Sequence, residues 1–170
     1  MKKTFLFLTL FAAMTIGMAS CSSSSDDNGE DAKANFANKL TQNGTTCTWE
    51  GSERTMSRSW GNWSDDGEKY AVMRFDRAST TATEGTGMVY YFENSWKESF
   101  KEKSEFTWSL GTDEMKITYR HTNWAPVHAE YKTTELVIRG DSFVGTWFEA
   151  SDKKFEFNYK KSNFTDWDKY

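Results

Sequence analysis

Proline occurs once in this 170-residue chain, at Pro126, and cysteine twice, at Cys21 and Cys47. Two cysteines allow at most one disulfide, too few for a stapled scaffold, so a core must do the stabilising. Leucine and isoleucine are also scarce. Beyond residue 21 they are only Leu40, Leu110, Leu136, Ile117 and Ile138. Burial therefore falls to the aromatics, 8 Trp, 7 Tyr and 13 Phe. Positive charge is in deficit, with 21 Lys and Arg against 25 Asp and Glu. Such a balance matches neither nucleic acid nor anionic headgroups, and no nucleic-acid partner is expected.

Long apolar runs are missing except at the start. Met1-Lys2-Lys3 is a short basic segment, and Thr4 to Ala19 is apolar or small, with Phe5, Leu6, Phe7, Leu8 and Leu10 at its heart. The run falls short of the roughly 20 apolar residues of a membrane-spanning helix. Its length and flanks are those of an export leader. Met18-Ala19-Ser20-Cys21 follows, small residues and then a thiol. These four residues resemble the lipobox of bacterial lipoproteins, with Met18 where leucine is usual. The resemblance implies cleavage before Cys21, a diacylglycerol on its sulfur and a further acyl chain on its amine. Several acyl chains hold a protein on a membrane where one is marginal. Cys21 is thus the expected lipidation site and the membrane the expected partner. Loss of Lys2 and Lys3 leaves 19 basic against 25 acidic groups, a net charge of −6.

Ser22 to Asp31 contains no large apolar residue and reads as a disordered tether. Its serine run followed by acids resembles the tethers of Bacteroidetes lipoproteins. That resemblance implies an outer-membrane protein displayed at the cell surface; a spacer facing the periplasm uses the same residues. The expected organisation is a leader over 1–20, a lipidated cysteine and flexible tether with a short helix over 21–44, a β domain over 45–162 and a tail over 163–170. About 120 residues suffice for one core and not for two.

Phe36 and Leu40 lie four apart and place the short helix over Ala32 to Gln42. Beyond Asn43-Gly44 the period becomes two. Thr46 to Glu50 reads as a strand, Arg54 to Gly67 as an irregular stretch ending in the turn Ser64-Asp65-Asp66-Gly67. Further strands are expected over Tyr70–Phe75, Thr86–Phe92, Ser104–Leu110, Glu114–Arg120, Thr133–Arg139, Asp141–Glu149 and Lys153–Lys160. Glu93 to Lys103 and His121 to Glu130 read as loops. The pattern predicts an all-β domain, a single antiparallel meander of about eight strands closed as a barrel or folded as a sandwich.

From Trp49 to Lys160 the chain resembles the lipocalin-like domains of Bacteroidetes lipoproteins. The matching segments are the early Trp49 strand, Phe75-Asp76, Gly85-Thr86-Gly87, Glu105-Phe106-Thr107-Trp108 and Met115 to Tyr119. Gly-Thr-Trp falls late, at Gly145-Thr146-Trp147, while the first strand has Trp49-Glu50-Gly51. The resemblance implies an up-and-down barrel able to hold a small apolar ligand. Met88, Tyr90, Phe106, Trp108, Ile117, Phe143, Trp147, Phe155 and Phe157 are the expected inward, ligand-lining side chains. Their bulk is equally what fills a solid small barrel. In that case the outer surface does the work, against a protein or a glycan.

No catalytic constellation emerges, and no cofactor or metal is expected. His121 and His128 stand near Asn123, Trp124 and Glu130 without zinc-site spacing. Asp65, Asp66 and Glu68 lack the alternation of a calcium loop, and Asp113-Glu114 reads as a solvated turn. Gly-x-Ser-x-Gly and phosphate-loop patterns are missing. Cys47, between two threonines, reads as a small buried residue. Trp60, Trp63, Trp96, Trp124 and Trp167 fall outside the clear strands. They are expected either to plug the barrel ends or to form stacking platforms.

Overall fold

The computed structural model describes residues 27–120, 127–132 and 135–170. Its first element, α1 (Asp27–Leu40), begins five residues ahead of the spacing-based helix, inside the expected tether. Glu30 and Asp31 in the first turns suit the positive end of the helix dipole, and Lys39 suits the other end. The helix closes in a Schellman turn. Gln42 N–H bonds to Lys39 O at 3.2 Å and Asn43 N–H to Asn38 O at 2.7 Å, with Gln42 at φ +52°.

Nine strands follow among the described residues: β1 (Thr46–Ser59), β2 (Asn62–Asp76), β3 (Glu84–Phe92), β4 (Phe100–Leu110), β5 (Glu114–Arg120), β6 (Val127–Lys132), β7 (Leu136–Arg139), β8 (Ser142–Ala150) and β9 (Lys153–Ser162). They form one antiparallel sheet in the order β6-β5-β4-β3-β2-β1-β9-β8-β7. The sheet is curled into a half-barrel. Its ends touch where Glu130 of β6 pairs with Phe148 of β8. The all-β meander read from the sequence is the observed fold, consistent with a lipocalin-like barrel.

The first hairpin departs from expectation. β1 runs unbroken to Ser59, and the reversal falls at Trp60-Gly61, with φ of +53° and +86°. Two successive positive φ values are what a tight two-residue hairpin turn needs. Ser64 to Gly67, expected as the turn, lies inside β2 and forms a bulge. Thr55 pairs with Gly67 and Met56 with Asp65, which leaves Asp66 over. Gly67, at φ +126°, donates its N–H to Asp65 Oδ1 at 2.9 Å. Turn-like residues thus serve a bulge here. Two expected loops are also partly strand, because β4 begins at Phe100 and β6 covers Val127–Lys132. His128 and Glu130 therefore sit on β6; His121, Asn123 and Trp124 lie outside the described residues.

The concave face holds the main core. Alternate residues of β1, β2, β4, β5, β8 and β9 point into it, Cys47, Trp49, Met73, Phe75, Phe106, Trp108, Met115, Ile117, Phe143, Trp147, Phe157 and Tyr159 among them. α1 covers one end of the half-barrel with Ala37 and Leu40, both fully buried. Trp49 Nε1 donates to Leu40 O at 2.8 Å and fixes the helix end to β1. Arg77 ties the same end together, donating to Gly44 O and Asn38 Oδ1, each at 2.9 Å.

A second, smaller cluster lies on the convex face. Val72, Tyr90 and Phe92 are covered there by Phe164, Trp167 and Tyr170. The expected tail is thus a strap packed across the sheet. The ring of Tyr170 stacks on Phe100 with centroids 5.0 Å apart, and Tyr90 donates its hydroxyl proton to Trp167 O.

Candidate functional site

A ligand held inside the barrel would have to lie among the side chains of the concave core. Phe106, Trp108, Ile117, Phe143, Trp147 and Phe157 all lie in the concave core, and Phe155 packs against it half-buried. Met88 and Tyr90 do not. Both belong to the convex cluster, and β3 presents Gly87, Val89 and Tyr91 inward instead. The pattern Met88-Val89-Tyr90-Tyr91-Phe92 is apolar on both faces. Alternation alone cannot say which set points in when a strap covers the outer side.

The interior side chains touch one another. Trp147 and Phe157 have ring centroids 4.4 Å apart, Phe143 and Phe157 4.8 Å, Phe75 and Phe106 5.3 Å, and Trp49 and Phe143 5.5 Å. Trp108 Nε1 bonds to Thr86 O at 3.0 Å, so the indole is held as well as packed. Gly145 sits between Leu136 and Phe157, where an added Cβ would meet their side chains at 2.7 and 2.8 Å. Rings at these separations leave little room for a guest between them.

One charge is buried in this aromatic interior. Glu53 is 1% exposed; Tyr159 donates its hydroxyl proton to Oε2 at 2.8 Å, and Lys69 Nζ stands 3.7 Å from Oε1. The Lys69 ammonium also lies 3.7 Å above the Tyr91 ring. Burial pushes the Glu53 carboxyl above the ordinary range, and Lys69 and Tyr159 offset part of that push. Cys47 is buried near the covered end, and its thiol is pushed up to about 11, chiefly by burial. Such a thiol is protonated at neutral pH and a poor nucleophile.

Three hollows bounded by described residues lie on the convex wall. One, of about 270 Å³, is lined by Arg74, Asp76, Met88, Glu105 and Arg120 around Thr86 and Thr107. Its neighbour, of about 490 Å³, shares Thr86 and Thr107 and adds Glu84, Ser109, Lys116 and Thr118. Cross-strand register explains the shared floor, because Thr86 pairs with Thr107 and Thr107 with Thr118. A smaller hollow of about 190 Å³ lies over β1 and β9 beside Arg54 and Glu156. The alternation of β3 to β5 already held these outward threonines, but sequence alone could not show that they form one row.

The exposed tryptophans do not converge. Trp60 is fully exposed at the hairpin tip, and Trp96 is largely exposed in the β3–β4 loop. Trp63 lies on β2 with Lys154 Nζ 4.9 Å from its ring, and Trp167 belongs to the strap. Trp124 and Cys21 lie outside the described residues. Among the described residues no group of three or more His, Cys, Asp or Glu is arranged to hold a metal, and no helix is long and apolar enough to cross a membrane. No protein-family model matches the chain, and no curated protein matches it in sequence.

Proposed function

We propose that this chain is a cell-envelope lipoprotein, anchored through Cys21, whose domain is a non-enzymatic interaction module that works through its outer surface. The observation that carries the choice of surface over interior is the contact among the rings of Trp49, Phe75, Phe143, Trp147 and Phe157. An interior filled by its own side chains is a scaffold. The reading of the interior as a holder for a small apolar ligand is the weaker one for that reason.

The anchor reading rests on the leader and on Met18-Ala19-Ser20-Cys21. The helix starts beside the β4–β5 turn, where a Cβ on Gly29 would lie 4.0 Å from Thr112 Cγ2, and the Trp60 tip is at the far end of β1. Fourteen residues of strand span about 45 Å, whereas the few residues between Cys21 and Asp27 reach at most about 20 Å. The domain cannot stand on its hairpin tip at the membrane that holds Cys21. Cys21→Ala is expected to move the protein from the membrane to the soluble fraction on cell fractionation. Retention of that variant in the membrane would contradict the anchor.

A further inference from the structure

The convex wall of β2 to β5 carries a polar groove. Its floor is the in-register row Thr86, Thr107 and Thr118. Thr86 is exposed and Thr107 half-buried, and neither hydroxyl has a hydrogen-bond partner among the described residues. Two adjoining hydroxyls on neighbouring strands stand a strand spacing apart, about 4.8 Å. Each both donates and accepts.

The walls are charged but balanced. Arg74 Nε lies 2.8 Å from Asp76 Oδ2, and Lys116 Nζ 3.3 Å from Glu114 Oε1. Arg120 is the cross-strand partner of Glu105. The lining holds three cations, Arg74, Lys116 and Arg120, and three carboxylates, Asp76, Glu84 and Glu105, so the groove has no net charge to attract a phosphate, a sulfate or a polycation. It does offer planar, charged hydrogen-bonding groups on both sides of a hydroxyl floor. At one end Met88 lines the wall, and the Arg74 guanidinium lies 4.9 Å from the ring of strap residue Trp167. An apolar edge beside a polar floor suits a solute with a hydroxylated rim and a C–H face.

We infer that this groove is a binding site for a neutral oligosaccharide, lying across β3 to β5 with its ring hydroxyls on Thr86 and Thr107. The inference rests on the outer-surface reading above and names its ligand class. The hollow of about 490 Å³ is within the size of small-ligand sites, roughly 300–1,000 Å³. Lost hydroxyl contacts of this kind weaken binding by about tenfold per 1.4 kcal/mol.

The test uses the full lipidated protein in a detergent without a sugar headgroup. It is titrated by ligand-observed NMR with cellotetraose, maltotetraose, xylotetraose and mannotetraose, and with tetragalacturonate and a chondroitin sulfate tetrasaccharide. At least one neutral tetrasaccharide is expected to bind, and the anionic pair to bind no more tightly. Thr86→Val with Thr107→Val should weaken binding about tenfold or more. Valine keeps the shape of threonine, and the two single variants give the same answer in graded form if the double variant folds poorly. Absence of binding by every neutral probe, tighter binding of the anionic probes, or unchanged affinity in the valine variants would overturn the inference. Its failure is distinct from failure of the outer-surface reading. That reading fails on finding an apolar molecule held inside the protein, whatever the sugars do.

Discussion

Trp60 sits in a backbone conformation that L side chains rarely adopt, with φ +53°, and its side chain is fully exposed. The left-handed region costs an ordinary residue about 1–2 kcal/mol, and here no burial offsets it. Asparagine tolerates that region through local hydrogen bonding. Trp60→Asn is therefore expected to stabilise the protein by about 0.5–1 kcal/mol in chemical denaturation. An unchanged or lower midpoint would show that the turn is not strained. Glu53 makes a second residue-scale case. Its carboxyl is raised by burial, so its protonated form favours the folded state. The sign follows from linkage: the contribution is fully present below the unfolded value of about 4.3 and is lost as pH rises through the elevated folded value. Glu53→Gln keeps the Tyr159 contact without the charge. Melting temperatures of both proteins from pH 4 to 8 should show wild type losing ground to the variant as pH rises. Parallel profiles would mean that Lys69 fully neutralises the burial.

At the scale of elements, the strands were legible where one face is buried and the other solvated. Phe106, Trp108 and Leu110 against Glu105, Thr107 and Ser109 gave β4, and Phe155, Phe157 and Tyr159 gave β9. Legibility failed where turn chemistry was borrowed. Ser64 to Gly67 announces a turn and makes a bulge, while the true turn is made by Trp60. It failed again on β3, where Met88 and Tyr90 are as apolar as Val89 and Tyr91 because both belong to the convex cluster that Phe164, Trp167 and Tyr170 join. Of the ligand-lining set, the residues from strands with one wet face point inward and those from the doubly covered strand do not. Of the convex groove, the outward threonines were legible and their alignment was not, since that needs the register of three strands at once. Gly87 shows how closely β3 and β4 approach. A Cβ there would fall well inside contact distance of the Phe106 ring and of Arg74 O. Gly87→Ala is expected to destabilise by about 1–3 kcal/mol, read as a lower denaturation midpoint. A change under 0.5 kcal/mol would mean that the Phe106 ring moves freely aside.

Over the whole molecule, two layers share one curled sheet: an aromatic core capped by α1 on the concave side, and a strap of Phe164, Trp167 and Tyr170 on part of the convex side. The strap leaves uncovered the polar wall with the Thr86 row. Aromatic contacts of this number do what disulfides do in other small domains, at about 0.5–1.5 kcal/mol for each well-placed ring pair. The central claim is that this sheet is a solid scaffold held to a membrane by Cys21. Native mass spectrometry of the protein extracted from its own membrane tests it most directly. The expected mass is that of the chain from Cys21 onward with its acyl chains and nothing else. An added apolar molecule that stays bound until the chain unfolds would contradict the solid interior. A mass without acyl chains would contradict the anchor.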